Sequence, residues 1–233
     1  MSETTSKNAV VLLSGGLDSA TTAYLSASQG YTLYALTVDY NQRHKCELEA
    51  AKRVAAAIGV RQHIMFPLDL RLFGGSSLTS EMEVVKYVPL EKIGQQIPTS
   101  YVPARNLLFL SLALAFAETV NAETVFIGIS ATDYSGYPDC RPEFIEAFSE
   151  TAQLATAAGV SGRSIRIETP LIGLSKKETI LLGLSLGVDY SLTHTCYDPL
   201  PDGKSCGRCE SCLLRRRGFE EAELPDPLMQ KYV

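Results

Sequence analysis

An α/β fold is predicted here: a parallel sheet with helices on both faces, followed by a small cysteine-bearing module. Three observations point to it. Short apolar, β-branched runs alternate with helix-period segments, the first run ends in a glycine-containing turn, and four of the six cysteines fall between Cys196 and Cys212. Alternation at these lengths gives right-handed crossovers and therefore a sheet covered on both sides.

Ala9 to Leu13 reads as a buried strand, because it is apolar and stops at a turn. Asp18 to Ala27 has helical periodicity and ends before Gly30. Tyr31 to Asp39 is a second strand, Lys45 to Ile58 a helix stopped by Gly59, and Arg61 to Phe66 a third strand. Periodicity then fails from Asp69 to Tyr101, where Gly74-Gly75-Ser76-Ser77 suggests a loop with a hairpin, and a lid over the site is the expectation. Ala104 to Val120 is an apolar helix, Thr124 to Gly128 a strand, and Pro142 to Ala158 a helix with proline at its first position. Ile165 to Glu168 is a short strand. Ser175-Lys176-Lys177-Glu178 is a capping box opening a helix that runs to about Gly183. A last helix is expected near Glu210 to Glu220. The expected division is a main domain over residues 1–190 and a metal module over 191–233, packed together.

Composition narrows the function. The chain has 233 residues, 45% of them hydrophobic, enough for an ordinary core without staples. Its formal charge of −5 argues against a binder held by duplex phosphates, which needs clustered Lys and Arg. The only dense basic run, Arg215-Arg216-Arg217, reads as a local surface cluster. No apolar run reaches the roughly 18 residues of a membrane span, and the polar start shows no signal-peptide core. A cytoplasmic location is expected, where thiols stay reduced and clustered cysteines point to metal rather than disulfides.

Ser14-Gly15-Gly16-Leu17-Asp18-Ser19, between a strand and a helix, is a recipe for anion binding. Glycines let the backbone approach the ligand, consecutive N–H groups form a nest, and the helix dipole favours phosphate. The Ser14 and Ser19 hydroxyls can donate to phosphate oxygens, and Asp18 suits Mg²⁺ or an ordered water. The string has neither the Gly-Lys-Ser/Thr of a P-loop nor the G-x-G-x-x-G of a dinucleotide site.

Cys196, Cys206, Cys209 and Cys212 are spaced C-x9-C-x2-C-x2-C, and four such thiolates can close a tetrahedral site around Zn²⁺. An iron–sulfur cluster is the competing occupant, and a redox cluster the plainer alternative. Structural zinc contributes about 10 kcal/mol or more to local folding. Of the remaining cysteines, Cys46 reads as packing. Tyr101-Val102-Pro103-Ala104-Arg105-Asn106 opens a helix, and Arg105 can fork onto a carboxylate or phosphate. The run from Asp133 to Pro142 follows a strand's carboxyl end, where open α/β sheets place ligands. Its carboxylates, tyrosines and Arg141 suit a flat hydrogen-bonding heterocycle. A connecting loop would have the same composition. His44, standing alone, is more often structural than catalytic.

The first turn resembles the Ser-Gly-Gly-x-Asp-Ser signature of the N-type ATP pyrophosphatases, or PP-loop family. That resemblance implies cleavage of ATP between its α and β phosphates and transfer of AMP to a substrate. It also implies a Rossmann-like fold of the adenine nucleotide alpha hydrolase kind, Asp39 near adenine and ribose, and Lys176 on the phosphates. Further strings, Asp39-Tyr40-Asn41-Gln42-Arg43-His44, Tyr101 to Asn106, Ser135-Gly136-Tyr137-Pro138-Asp139-Cys140-Arg141-Pro142, Thr169-Pro170-Leu171 with Ser175-Lys176, and the terminal Cys-Gly-x-Cys-x-Ser-Cys, resemble the 7-cyano-7-deazaguanine synthase family of the queuosine pathway. They run from residue 12 to about 219. One departure stands before the first cysteine ligand, where His194-Thr195 replaces that family's aromatic Trp-Ser pair.

The resemblance implies an ATP-dependent carbon–nitrogen ligase that turns 7-carboxy-7-deazaguanine and ammonia into the 7-nitrile through an adenylated acid and an adenylated amide. Asp18, Ser19, Lys176 and Arg105 are the expected catalytic residues. Leu13, Ser14, Gly15, Gly16, Leu17, Asp18, Ser19 and Asp39 are expected to hold ATP with Mg²⁺. Arg105, Asp133, Tyr137, Asp139 and Arg141 are expected to hold the deazaguanine acid, and the four cysteines a structural zinc. Free ammonium, a homodimer, and neither nucleic acid nor membrane complete the expectation. A PP-loop enzyme that thiolates or amidates tRNA is the alternative, and a catalytically silent zinc-ribbon module that senses ATP the more distant one.

Overall fold

The computed structural model describes residues 7–130 and 136–228. Five parallel strands, β1 (Lys7–Leu12), β2 (Tyr31–Asp39), β3 (Gln62–Pro67), β4 (Thr124–Ile127) and β5 (Arg166–Glu168), form one sheet in the order β3-β2-β1-β4-β5. Every neighbouring pair is parallel, with Val10 beside Tyr34 on one side and Val125 on the other. Both faces are covered, so from Ala9 to Leu12 successive residues of β1 are all apolar rather than alternating with polar ones. Val10 and Leu12 enter one core with Leu36, Val38, Leu110 and Ile145. Ala9, Val11 and Leu13 enter the other with Leu17, Ala35, Val54 and Ile180.

The helices are α1 (Leu17–Ser28), α2 (Cys46–Ile58), α3 (Arg105–Thr119), α4 (Pro142–Ala155), α5 (Ala157–Val160), α6 (Lys176–Ser185) and α7 (Glu210–Glu221). The expected helix from Pro142 to Ala158 breaks at Thr156, whose backbone is extended. Its hydroxyl accepts from the Gly159 amide at 3.0 Å and donates to the Ala152 carbonyl at 2.7 Å, so it ends one helix and caps the next. The Ser175–Glu178 capping box forms with both of its hydrogen bonds.

Between β3 and α3 the expected hairpin is absent. Two short 3₁₀ turns, Leu70–Leu72 and Leu90–Lys92, stand in its place. The segment's one β-type pairing among the described residues is an antiparallel bridge from Lys86 to Cys209, continued where the Tyr87 amide donates to the Arg208 carbonyl at 3.0 Å. A hairpin would have satisfied these backbone groups locally; here the cysteine module satisfies them.

The basic run is also corrected. Arg216 and Arg217 are exposed on α7, but Arg215 is buried, with Nε and Nη2 donating to the two Asp226 oxygens at 2.8 and 2.9 Å. Its Nη1 reaches Thr193 Oγ1 at 2.7 Å and its Nη2 the Tyr190 carbonyl at 3.2 Å. A guanidinium with this many acceptors is a buried tie rather than a surface charge. No described helix is long and apolar enough to cross a membrane.

Candidate functional site

The direction of winding reverses between β1 and β4, and open α/β sheets bind ligands at the carboxyl edge beside such a reversal. A cavity of about 200 Å³ lies there. Its lining comes from the ends of β1 (Leu12, Leu13), β2 (Leu36 to Val38) and β4 (Ile127 to Ser130).

The first lip of this cavity is the turn from Ser14 to Ser19. Gly15 has φ of 84°, and a Cβ there would sit 2.3 Å from the carbonyl oxygen of Glu47 on α2, so conformation and space both demand glycine. Ser14 Oγ and Ser19 Oγ are 3.0 Å apart, and the Gly16 amide donates to Ser14 Oγ at 3.3 Å. The N-cap of α1 is Gly16, with no side chain to bond the first amides of the helix. Those amides are left facing the cavity, where the dipole favours an anion.

Asp18 leans from the first turn of α1 onto Lys176, whose Nζ stands 2.7 and 2.8 Å from the two carboxylate oxygens. Lys176 opens α6, behind the capping box, and is 7% exposed. Its stem is fixed from behind by α7: a Cβ at Gly218 would fall 2.5 Å from Lys176 Cγ. Lys176 therefore reaches the cavity edge through Asp18, and its backing comes from the cysteine-bearing end of the chain.

Arg105 opens α3 on the opposite wall. Its Nη1 lies 3.5 Å from the Tyr40 hydroxyl and its guanidinium carbon 5.9 Å from the Tyr40 ring centre. Tyr137 lines the same wall, its hydroxyl 3.0 Å from Ser100 Oγ and its ring 6.0 Å from that of Tyr101.

Of the residues expected from sequence, Leu13, Ser14, Gly16, Leu17, Asp18, Ser19, Arg105 and Tyr137 line the cavity. Gly15 and Lys176 stand just behind the lining, and three others are placed elsewhere. Asp39 accepts from Lys45 Nζ at 3.1 Å and from the Asn41 amide at 3.2 Å, outside the lining. Asp139 is buried against the start of α3, where Oδ2 accepts from the Asn106 amide at 2.9 Å. The reason is local: the α3 N-cap is Ala104, in the left-handed region at φ 55° and without a capping side chain, so a carboxylate from another segment does that work. Arg141 is exposed and turns its Nε to the Pro138 carbonyl at 3.2 Å. Asp133 lies outside the described residues.

The cavity lining also includes Asn106, which the sequence places beside Arg105 where it could face a ligand, the departing pair His194-Thr195, and four residues given no site role from sequence: Tyr40, Glu47, Tyr197 and Ser211. Glu47 sits in the first turn of α2, where an acidic residue is ordinary, so only its contacts single it out. Burial pushes its carboxyl up to about 7, against the pull of Arg105 and the Gln42 hydrogen bond, with Asp39 adding to the rise. His194 is 7% exposed, its amide donates to the Gly15 carbonyl at 2.8 Å, and burial pushes its imidazole down to about 4. Its buried Nε2 and the buried Thr195 hydroxyl have no hydrogen-bond partner among the described residues, and both residues line the cavity. The departure from Trp-Ser thus puts an imidazole where an indole would have packed, while Thr195 keeps the hydroxyl of the serine. His44 bonds the Tyr197 carbonyl through Nε2 and lies outside the lining.

The four cysteines of the module meet. All four are buried and their sulfurs lie within 4.8 Å of one another, a donor set that fits a tetrahedral metal ion. Backbone amides already point at the sulfurs: Cys206 N to Cys196 Sγ at 3.2 Å, Cys209 N to Cys206 Sγ at 3.3 Å, Arg208 N to Cys206 Sγ at 3.4 Å. Such donors stabilise thiolates, the form that binds metal.

A doubly wound parallel sheet carries a glycine turn, a carboxylate–lysine pair and an arginine around its switch-point cavity, and so defines an α/β protein with its candidate site at the carboxyl edge of the sheet. The chain belongs to the family described as Queuosine biosynthesis protein QueC, which matches residues 8–223. It is 58% identical over 222 residues to the 7-cyano-7-deazaguanine synthase of Syntrophus aciditrophicus (strain SB), covering 95% of this chain and 96% of that one. It is 57% identical over 221 residues to the protein of the same name from Paramagnetospirillum magneticum, covering 95% and 97%. Among solved structures it is similar to a predicted subunit of tRNA methyltransferase from Methanocaldococcus jannaschii, at 18% identity and a TM-score of 0.48 over 95% of this chain and 91% of that one, too distant to bear on function.

Proposed function

We propose that this chain is an ATP-dependent ligase that converts 7-carboxy-7-deazaguanine and ammonia into 7-cyano-7-deazaguanine. The observation that carries the reading is the cavity at the β1/β4 switch point, with the Ser14–Ser19 turn on one wall and Arg105 on the other. Family membership and relatives bearing that name support it.

A carboxylate resists ammonia because oxide is a poor leaving group. Adenylation supplies AMP instead, first on the acid and then on the resulting amide, whose loss of AMP leaves the nitrile. In this reading the turn amides and the Ser14 and Ser19 hydroxyls bind the phosphates. Lys176, oriented by Asp18, offsets the charge that develops on pyrophosphate, and such preorganised charge is often the largest part of catalysis. Mg²⁺ would arrive with ATP, and Asp18, a carboxylate of the cavity lining, would help to hold it. Arg105 forks onto the substrate carboxylate and Tyr137 lies against the heterocycle. Asp139 acts by holding the α3 start, Asp39 and Arg141 have lesser parts, and Asp133 keeps its expected part in holding the acid.

The cysteine cluster holds zinc in a closed structural site, since four thiolates leave no open position for chemistry. Six cysteines without a disulfide suit a cytoplasmic setting. A homodimer, and a division into 1–190 and 191–233, complete the reading.

Pyrophosphate release on adding 7-carboxy-7-deazaguanine, ammonium and Mg-ATP tests it: release that needs both the acid and ammonium for full turnover is expected. No release with this acid, or release only with tRNA, would overturn the reading. Metal removal tests the cysteine site. A strong chelator is expected to lower Tm sharply and abolish turnover, with one zinc per chain recovered; bound iron with visible absorbance would reassign the metal.

A further inference from the structure

Glu47 brings to the cavity a carboxylate that nothing in the adenylation step requires. Its environment fixes it closely. Gln42 Oε1 accepts from the Tyr40 amide at 2.9 Å, which forces the Gln42 NH₂ group toward Glu47, where Nε2 donates to Oε1 at 2.9 Å. One oxygen of Glu47 is thereby occupied by a neutral donor. The residue's backbone carbonyl rests against Gly15, so the start of α2 and the phosphate-binding turn move as one body.

The charged and titratable groups that bear on Glu47 are few. Arg105 comes from α3, Asp39 and Tyr40 from the end of β2, and the turn at Gly15 presents only uncharged backbone. Arg105, the cation among them, also lines the cavity and faces Tyr40. A carboxylate and a guanidinium that share a cavity without a hydrogen bond between them can each serve a different atom of one ligand.

We propose that Glu47 is the general base of the ammonia step, accepting a proton at its second oxygen, Oε2, from the nitrogen that attacks the adenylated acid. The inference rests on the ligase reading above. In this step the nitrogen lone pair forms the C–N bond and the C–O bond to AMP breaks, its electron pair leaving on AMP. One N–H proton passes to Glu47, giving amide, AMP and a neutral carboxylic acid that later returns its proton to water. A base is needed because the first adduct carries a positive nitrogen, which would otherwise expel ammonia and regenerate the adenylate. The raised affinity of Glu47 for a proton suits the task, since a base works best when it titrates near the working pH.

The test uses the full-length, metal-loaded enzyme and separates the two half-reactions. Exchange of labelled pyrophosphate into ATP, dependent on the acid and without ammonium, reports adenylation. Product formation with ammonium reports the whole sequence, and hydroxylamine, an amine uncharged at neutral pH, probes the second half with less need of a base. For Glu47→Gln, ammonium turnover is expected to fall about 10²–10⁴-fold, exchange to change only a few-fold, and hydroxylamine to recover most of the loss. Expressed per free NH₃, the wild-type kcat/KM should rise with pH through about 7, and this limb should vanish in Glu47→Gln while Glu47→Asp keeps it. Equal losses of exchange and of both amine reactions would overturn the proposal and make Glu47 a nucleotide ligand. Undiminished ammonium turnover would also overturn it. Absence of acid-dependent exchange in the wild type would instead refute the ligase reading, and this inference with it.

Discussion

The two lips of the cavity solve the same problem with different logic. At the β1 lip, the Ser14–Ser19 turn owes its shape to its own sequence: glycine where φ is positive, two serines closing the bend, and a helix starting without a capping side chain. At the β4 lip, the segment around Gly136–Arg141 owes its shape to a partner far away in the chain. Asp139 and the backbone beside it are committed to Asn106 on α3, whose Nδ2 donates to the Asp139 carbonyl at 3.1 Å. A polar residue beside a site is therefore weak evidence of ligand contact until its other obligations are known.

Substitutions can break or sharpen this contrast. The largest effect is expected at the β1 lip. Lys176→Met keeps the stem packed on α7 and removes the charge, so acid-dependent exchange should fall about 10²–10³-fold; exchange within three-fold of wild type would mean that the turn amides suffice. An intermediate effect is expected from Asp139→Ala, which strips α3 of its borrowed cap. Calorimetry should show a stability loss of about 0.5–2 kcal/mol, with a higher KM for the acid following from displaced Arg105. A higher KM with unchanged Tm would instead make Asp139 a substrate contact and erase the difference between the lips. The smallest effect belongs to Arg141→Ala: exposed and, among the described residues, bonded through its side chain only to a nearby carbonyl, it should shift stability by no more than about 0.5 kcal/mol and leave both KM values alone. A large rise in the KM for the acid would restore the recognition role expected from sequence.

Much of this was legible before any coordinates. Each strand falls within two residues of its predicted bounds, because buried parallel strands are continuous apolar runs, and the Ser175 capping box carries both of its partners within four residues. The four cysteines were legible for the same reason, their spacing being itself the geometry. What escaped depends on contacts remote in sequence. Arg215 looks like its exposed neighbours until Asp226 folds back to meet it. Glu47 looks like an ordinary first-turn acid until α2 packs on the turn at Gly15. His194-Thr195 is visible as a departure, yet the orphaned imidazole and hydroxyl bordering the cavity appear only once the chain is folded. Thr156 could not be read as a breaker because threonine serves equally as a weak helix residue and a cap.

The close approach at Gly218 has a consequence for how the molecule comes into being. Synthesis delivers the turn at Ser14–Ser19 roughly 200 residues before the helix that seats Lys176, an interval of about 10–40 s at bacterial and eukaryotic elongation rates. Throughout that interval the nascent chain has the glycine turn but no anchored lysine to pair with Asp18. α7, the last of the described helices to be made, thus works as a completion signal, and a chain lacking Gly218 would carry the sheet without the seat of Lys176.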